Sequence, residues 1–429
     1  MRYALVNPNW SFEGSIYFGC REPHLPLELG YAKALLERRG HAAEIIDGHM
    51  FGLPAERIRE RLIGFRPDVT VVTTAPTYLF WRCAQPELGV PQRLLEAVGD
   101  IAGVTVAVGP HGSTTPRAAL RKLGVDYVVM GECEETLVRL ADGEPPEGVP
   151  GLCYADDGEI RVQGGPQAVD FAAMPALSWP DEVVHRHRHH HHRFDPSEGG
   201  PGAEVEASRG CPYRCSFCAK ENFRNGYRRR ALEAVIEEID GFRRQGVEYL
   251  YFVDEIFLAN RALVEALIGR GLRFGIQTRI DLWKPEMIDL LAEAGCVSIE
   301  AGVESLSVEG RAALDKNCRM STEELTERLI YARRRIPFVQ ANLIAVADDD
   351  ADEVQAWRER MRGHGVWAND PVPLYPYPGS PDYRKLWGLP DDDAWERAHE
   401  YYLRQFEAFS DIQDQRPLPL DHLERRPVA

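Results

Sequence analysis

Short apolar runs alternate with amphipathic stretches along the first 140 residues. Residues 3–7 read as a strand. Residues 28–39 read as a helix, with Leu29, Ala32, Leu35 and Leu36 on one face and Gly40 as the stop. Residues 43–47 form a second strand, and residues 55–65 a helix with Ile58, Leu62 and Ile63 turned inward. Residues 69–74, 104–108 and 126–130 supply three more strands, with helical spacing between them. Strands alternating with helices argue an α/β fold with a doubly wound, Rossmann-like parallel sheet. Such sheets bind ligands past the carboxyl ends of their strands. Here those segments are Thr73-Thr74-Ala75, Gly109-Pro110-His111 and Gly131-Glu132. No G-x-G-x-x-G follows the first strand, so a dinucleotide site is not supported.

The pattern fades over residues 141–200, which are rich in Pro, Gly and charge and read as an interdomain linker. Inside it lies HRHRHHHHRFD, residues 185–195. It is internal and interrupted by arginines, so it reads as native rather than as a tag. A solvated linker stands beside a functional reading, in which the run is a metal-binding tract or sets histidines over an active site. From about residue 203 to 380 a second alternation appears. Strands are expected at 204–208, 249–253, 274–277, 297–301 and 339–346, and helices at 232–245, 262–271, 285–294 and 322–335. Residues 381–429 carry Tyr383, Trp387, Trp395, Tyr401, Tyr402 and Phe406 and read as a helical C-terminal cap on the second unit. The expected units are therefore 1–140, 141–200, 201–380 and 381–429.

A length of 429 residues allows two or three domains. The net charge of −17 disfavours a nucleic-acid partner, whose affinity comes from clustered Lys and Arg. One local exception is Arg224 to Arg230, which reads as a solvated helix start or as an anion or carboxylate clamp. Cys20, Cys83, Cys133, Cys153, Cys296 and Cys318 are scattered without a disulfide rhythm, as suits a reducing cytoplasm. No secretory leader or membrane-length apolar stretch is read, so a cytoplasmic protein is expected.

The chemistry concentrates in SRGCPYRCSFCAK, where Cys211, Cys215 and Cys218 form a Cys-x-x-x-Cys-x-x-Cys frame. Three thiolates in eight residues can wrap one corner of a cube but leave one iron open to a ligand that is not protein. The competing reading is a structural zinc site of the Cys₃His type, given the histidines upstream. The frame, with Phe217 before its third cysteine, resembles the radical S-adenosylmethionine (SAM) enzymes. That resemblance implies a [4Fe–4S] cluster whose fourth iron takes the SAM amine and carboxylate, on a partial (β/α) radical SAM barrel. PDVTVVTT, VAVGPHGSTTP and DYVVMGECEETL, in that order before the cysteines, resemble the cobalamin-binding domain of many such enzymes. They imply a cobalamin site at Thr73, Thr74, Gly109, Pro110, His111, Gly131 and Glu132.

The resemblance also implies a SAM pocket. Phe217 would pack near the adenine. Asp254 and Glu255, ending the strand YFVDEIF, would include the ammonium acceptor, since a carboxylate pairs with it. Gln277 and Arg279 would hold the carboxylate and ribose. Glu304, beside Ser305, would accept from the ribose hydroxyls, and Glu300 is a second carboxylate on that strand. Pro378 and Gly379 would turn close to SAM. After Val346 comes ADDDADE, where many relatives have a glycine. DGHMFG, residues 47–52, spells the Asp-x-His-x-x-Gly signature of a histidine cobalt ligand, but it follows the second strand instead of the first.

The activity implied is cobalamin-dependent C-methylation of an unactivated carbon in a small or medium natural-product or sugar-type substrate. An electron donor such as flavodoxin or ferredoxin would be a partner, and neither nucleic acid nor membrane would. Cyclisation or rearrangement without methyl transfer is the alternative. A cobalamin and iron–sulfur sensor represents another class. A tRNA-modifying enzyme fits the negative charge poorly.

Overall fold

The alternating pattern of the first half builds a seven-stranded sheet in the computed structural model. The described residues are 1–16, 23–76, 84–187, 201–220, 224–405 and 416–425. Cys20, Cys83, Phe406 and residues 188–195 of the histidine-rich run lie outside them. In chain order the N-terminal elements are β1 (Arg2–Asn7), α1 (Leu27–Arg38), β2 (Ala42–Asp47), α2 (Gly48–Phe51), α3 (Ala55–Phe65) and β3 (Val69–Thr73). They continue with α4 (Gly89–Val98), β4 (Val104–Val108), α5 (Pro110–Thr114), α6 (Pro116–Leu123), β5 (Tyr127–Val129) and α7 (Glu134–Ala141). Five strands run parallel in the order β2-β1-β3-β4-β5. This winding reverses between β1 and β3, which is where a doubly wound sheet opens its ligand crevice. The two-residue period sorts the strand side chains. Tyr3, Leu5, Val71, Val106 and Val129 pack against α1 and α7. Ala4, Val6, Val72, Ala107 and Val128 pack against α3, α4 and α6. Ile63 departs from its expected inward position and is 53% exposed. Ile58 and Leu62 face the sheet, and Ile63 lies a further 100° or so around the helix, on its outer flank.

Within residues 141–200 the structure holds regular elements that the fading pattern concealed. Strands β6 (Leu152–Asp156) and β7 (Glu159–Gln163) extend the same sheet in antiparallel fashion from β5. Their turn is Asp157-Gly158, both with positive φ (49° and 82°). Asp-Gly is the favoured pair for a tight hairpin of this hand, so a local signal was present. Helix α8 (Asp181–Arg186) follows. Of the histidine-rich run, His187 is fully buried, with Nδ1 2.7 Å from the Gly202 carbonyl and Nε2 2.9 Å from Glu204.

The second unit begins with β8 (Gly202–Val205) and a two-stranded ribbon, β9 (Ser208–Arg209) and β10 (Arg228–Arg229). Next come α9 (Leu232–Arg244), β11 (Tyr249–Phe252), α10 (Arg261–Leu267), β12 (Arg273–Thr278), α11 (Pro285–Glu293) and β13 (Cys296–Glu304). The unit ends with α12 (Val308–Ala313), α13 (Thr322–Arg335), β14 (Phe338–Leu343), α14 (Ala351–Gly363) and β15 (Trp367–Ala368). Six parallel strands lie in the order β8-β11-β12-β13-β14-β15, an open partial barrel. Val205, Phe252, Ile276, Ile299 and Val339 belong to its apolar core. The alternate positions Glu204, Tyr251, Gln277, Glu300 and Gln340 therefore share the opposite, inner face. Gly275 leaves room for Tyr249, whose hydroxyl would lie 2.4 Å from an added Cβ.

The C-terminal helices are α15 (Pro381–Trp387), α16 (Ala394–Gln405) and α17 (Leu420–Leu423). Part of the expected cap packs against the N-terminal domain as well, while Asp382 of α15 reaches the barrel at Ser216. Trp395 joins the α1/α7 core. Lys122 pairs with both Glu396 (2.6 Å) and Glu424 (2.8 Å), and Arg121 with Asp392 (2.5 Å). Among the described residues no helix is long and apolar enough to cross a membrane.

Candidate active site

The cysteine loop leaves the barrel at the end of β9 through Gly210, whose φ is 81°. An added Cβ there would lie 2.0 Å from the Gly226 carbonyl, so only glycine lets the ribbon arms meet this closely. Cys211, Cys215 and Cys218 follow, half-buried and outside any disulfide, with Phe217 half-buried beside them. The loop is pinned at several points. Gly210 donates its amide to Glu255 (2.6 Å), Ser216 donates to the Leu314 carbonyl (2.9 Å), and Cys218 to Cys215 (3.1 Å). Burial pushes the Cys215 thiol up to about 11, with Lys316 opposing. Among the described residues, no three His, Cys, Asp or Glu side chains converge tightly enough for a single ion. Three thiols on one loop supply three cluster ligands and leave one iron open to a ligand that is not protein.

Of the expected SAM residues, Glu255 and Arg279 reach this loop, at Gly210 and Tyr213. Asp254 is buried and accepts from the Ala207 amide (2.9 Å) and the Ser208 hydroxyl, so it ties the β8–β9 crossover. Glu255 accepts from Gly210 and from Arg224 (2.7 Å). Gln277 lies on the inner face with Oε1 buried and unpartnered. Arg279 is engaged by the chain itself. It forms a double contact with Asp281 (3.1 and 2.8 Å), donates to the Lys316 carbonyl (2.5 Å), and stacks on Tyr213 at 4.1 Å. Glu304 has φ 66°, a strained left-handed backbone for a non-glycine residue, and pairs with buried Lys316 (2.8 Å). Ser305 donates to Asp349 (2.8 Å), which also accepts from Leu306 (3.1 Å) and twice from Ser307 (3.0 and 2.8 Å). The acidic stretch after Val346 thus closes the turn after β13. Pro378 and Gly379 (φ 92°) lead into α15, where Asp382 donates its amide to Ser216 (2.9 Å) and accepts its hydroxyl (3.1 Å). That contact brings the late barrel loop onto the cysteine loop.

At the N-terminal sheet, the Thr74 amide donates to Val108 (2.9 Å), and the Thr73 hydroxyl reaches Asn7 (3.4 Å). Gly109, φ 131°, sits so close to Thr74 that an added Cβ would be 2.5 Å from its Oγ1. Pro110 opens α5, and His111 follows, 1% exposed. Thr74 Oγ1 and both His111 ring nitrogens are buried without hydrogen-bond partners. Gly131 approaches the chain itself, with an added Cβ 2.2 Å from the Gln167 carbonyl. Glu132 is buried and already engaged by Arg228 (2.5 Å), Arg209 (3.3 Å) and the Val169 amide (2.9 Å). Burial alone would raise its carboxyl, but the two guanidiniums hold it well below the usual range. DGHMFG forms the one-turn α2 after edge strand β2. Asp47 caps it by accepting from His49 (3.1 Å) and Met50 (3.0 Å), and Asn7 holds the same oxygen (2.9 Å).

The two halves meet through buried ion pairs that sequence reasoning only partly anticipated. Arg209, fully buried, contacts Glu132, Glu134 (2.8 Å) and Glu206 (2.8 Å). Arg224 contacts Glu28 (2.5 Å), Glu206 (3.0 Å) and Glu255. The arginine run is therefore a carboxylate clamp on the protein's own groups, with Arg230 paired to Glu238 (2.5 Å) and only Arg229 exposed. Arg209, Glu134, Tyr213, Lys316 and Trp395 carry no spacing signal that would have singled them out.

The family models agree with this division. Residues 205–360 match the radical SAM superfamily, and residues 20–141 match the B12 binding domain. The chain carries a radical SAM domain with a B12-binding domain ahead of it. An uncharacterised methyltransferase of Pyrococcus horikoshii is 27% identical over 298 residues, covering 66% of this chain and 61% of the relative. An anaerobic magnesium-protoporphyrin IX monomethyl ester cyclase of Cereibacter sphaeroides is 27% identical over 414 residues, covering 90% and 64%. The chain spans about six-tenths of the length of these curated relatives. Among solved structures, the radical SAM methyltransferase TsrM of Kitasatospora setae, with cobalamin and a [4Fe–4S] cluster, superposes with TM-score 0.70 at 20% identity, over 89% of this chain and 73% of that one. The cobalamin-dependent SAM radical enzyme OxsB superposes with TM-score 0.68 at 18% identity, over 94% and 61%. At these identities the superpositions establish the shared fold.

Proposed function

We propose that this chain is a cobalamin-dependent radical SAM enzyme that methylates a carbon atom of a small or medium-sized organic substrate. The observation that carries the reading is Arg209. It lies two residues before Cys211 and is bonded to Glu132 at the end of β5, so the cysteine loop and the strand-end cleft share one buried network. The residues present fit each cofactor: three thiols outside any disulfide for the cluster, an unpartnered Gln277 oxygen for SAM, and unpartnered Thr74 and His111 atoms for cobalamin. When bound, the cluster and SAM supply one-electron radical initiation, and cobalamin supplies a transferable methyl group.

The chain's own residues bind, orient and exclude water. Cys211, Cys215 and Cys218 would hold the cluster. Glu255 fixes the backbone just before them, and the Ser216–Asp382 contact fixes it between the second and third cysteines. Glu255, with Asp254 behind it, would offer carboxylate to the SAM ammonium, and Gln277 and Glu304 would meet its carboxylate and ribose. Phe217, Arg279, Ser305, Pro378 and Gly379 would shape the same pocket. Thr73, Thr74, Gly109, Pro110, His111 and Gly131 would line the cobalamin cleft, with Glu132 tied back to the barrel. The buried arginine–glutamate layer keeps water from the seam between the sites. A low-potential donor of flavodoxin or ferredoxin type would deliver electrons, consistent with a cytoplasmic setting.

Cyclisation is the second reading, since the Cereibacter relative that covers 90% of this chain is named a cyclase. Anaerobically reconstituted protein, given reductant, hydroxocobalamin and SAM with a deuterated methyl group, separates the two. Methylation gives both 5′-deoxyadenosine and S-adenosylhomocysteine. Cyclisation or rearrangement gives 5′-deoxyadenosine without S-adenosylhomocysteine. Neither product would leave the sensor reading.

A further inference from the structure

The strand-end cleft of the N-terminal domain is closed by a residue from the far end of the chain. Trp395, on α16, lies 280 positions beyond Thr115, to whose hydroxyl its indole Nε1 donates at 3.2 Å. Its ring stacks on His111, centroids 4.6 Å apart and planes tilted by 32°. Both residues are buried, Trp395 at 4% and His111 at 1% exposure. Lys122, bonded to Glu396 and Glu424, holds α16 and α17 against the same domain. The carbonyls of Thr74, Gln85 and Pro86 lie beside the imidazole, yet neither ring nitrogen makes a hydrogen bond of acceptable geometry. Thr74 Oγ1 and Gln85 Oε1 are also buried and unpartnered. Unpartnered polar atoms this deep cost free energy unless a ligand meets them. Thr74 and Gln85 border the His111 ring, past the strand ends where a doubly wound sheet accepts a ligand.

We propose that Trp395 is a positioning residue for cobalamin. Its indole holds the His111 ring so that His111, Thr74 and Gln85 meet the nucleotide tail of the cofactor. The inference rests on the cobalamin reading above. The tail carries a phosphate, a ribose and an aromatic base, and the converging groups offer a hydroxyl donor, an imidazole N–H and an amide. Burial drives the His111 pKa down to about 3, so the ring stays neutral, with one donor and one acceptor nitrogen. The place calls for an aromatic ring: the indole covers one face of the imidazole while its N–H is committed to Thr115.

The test compares hydroxocobalamin with dicyanocobinamide, which keeps the corrin ring and lacks the nucleotide tail. Titrations of the full chain, followed by corrin absorbance and by quenching of tryptophan emission, use wild type, Trp395→Ala, Trp395→Phe and His111→Phe. Trp395→Ala should weaken hydroxocobalamin binding roughly tenfold, the scale of a lost aromatic pair plus a misplaced polar partner. Its cobinamide affinity should not change, and Trp395→Phe should recover most of the loss. His111→Phe should show the same selectivity for the tailed form. Equal loss of both corrinoids would mark Trp395 as merely structural and overturn the proposal, as would unchanged hydroxocobalamin binding in Trp395→Ala. If wild-type protein binds neither corrinoid, the cobalamin reading itself fails.

Discussion

Arg209 of the barrel ribbon lies 2.8 Å from Glu134 of the N-terminal domain, and neither side chain is exposed to solvent. The pair belongs to a set of three arginines (Arg209, Arg224, Arg228) and five glutamates (Glu28, Glu132, Glu134, Glu206, Glu255) that spans the seam. Arg209 also lies over the rings of Phe171 (4.5 Å) and Tyr31 (5.5 Å). A guanidinium suits this place because its planar fork serves several carboxylates while its face stacks on aromatic rings.

Removing that fork leaves buried carboxylates uncompensated. Arg209→Met keeps the stem and deletes the charge, and it should destabilise the protein by about 3–5 kcal/mol. Breaking the exposed Arg161–Asp156 pair should cost under about 1 kcal/mol. Urea denaturation of both variants makes the comparison, and equal small losses would show that the seam is not held by this network.

The same set has a charge imbalance with a pH consequence. Five carboxylates face three guanidiniums, so full ionisation leaves an excess negative charge in a buried layer. Burial raises Glu28 to about 7 despite Arg224, with Glu206 adding to the rise, and burial raises Glu134 as well. A carboxyl whose folded pKa exceeds its unfolded value of about 4.3 binds its proton more tightly when folded. Its contribution is fully present below about pH 4.3 and is lost as pH rises through about 7. Glu28→Gln mimics the protonated form and should flatten that part of the decline. Glu87 and Asp47, raised by burial to about 7 and about 6, would keep their own share, so the readout is the difference between variant and wild type. Parallel stability–pH curves would place the proton elsewhere.

Much of this architecture is written in local pattern. Two-residue and helical periods fall within a residue or two of β1, α3, β11 and α13, because each buries one apolar face. The hairpin β6–β7 escaped because its second strand is charged and half-exposed and the flanking Pro and Gly resemble a linker, although Asp157-Gly158 marked the turn. The cysteine loop was legible because cluster chemistry demands thiols at close spacing. Its supports were not. Tyr213 under Arg279, Lys316 beside Glu304 and Asp349 behind Ser305 meet only after folding, at sequence separations that no motif encodes. Trp395 is the extreme case, an aromatic in a helical pattern whose partner is at position 111.

The cysteines give the most direct check on the site. Anaerobic reconstitution should load about four irons per chain, and replacing Cys211, Cys215 and Cys218 together by Ala should abolish iron binding. Preferential zinc loading of the wild-type loop under the same conditions would overturn the cluster assignment.

His49 should not serve as a cobalt ligand. Its helix α2 follows edge strand β2, and Asp47 is committed to capping that helix and to Asn7. Paramagnetic resonance of protein-bound Co(II) cobalamin should show no nitrogen splitting that depends on His49. A splitting lost in His49→Ala would identify a ligand that the strand order argues against.

Asp254 and Glu255 end the same strand but are held differently, which separates their expected roles at SAM. Asp254 uses both oxygens on the β8–β9 crossover, and burial raises its carboxyl well above the usual range. Asp254→Asn should therefore lower thermal stability and leave SAM affinity nearly unchanged. Glu255 faces the cysteine loop, accepting from the Gly210 amide and from Arg224. Glu255→Gln should weaken SAM binding by about 1.5–3 kcal/mol, the scale of a charged hydrogen bond. Calorimetric titration of SAM into cluster-loaded protein reads both, with iron content checked first because Glu255 also anchors the loop. If full iron loading is kept and neither variant changes SAM affinity, the ammonium acceptor lies elsewhere. Glu304, strained and paired with Lys316, would then be the next carboxylate to replace.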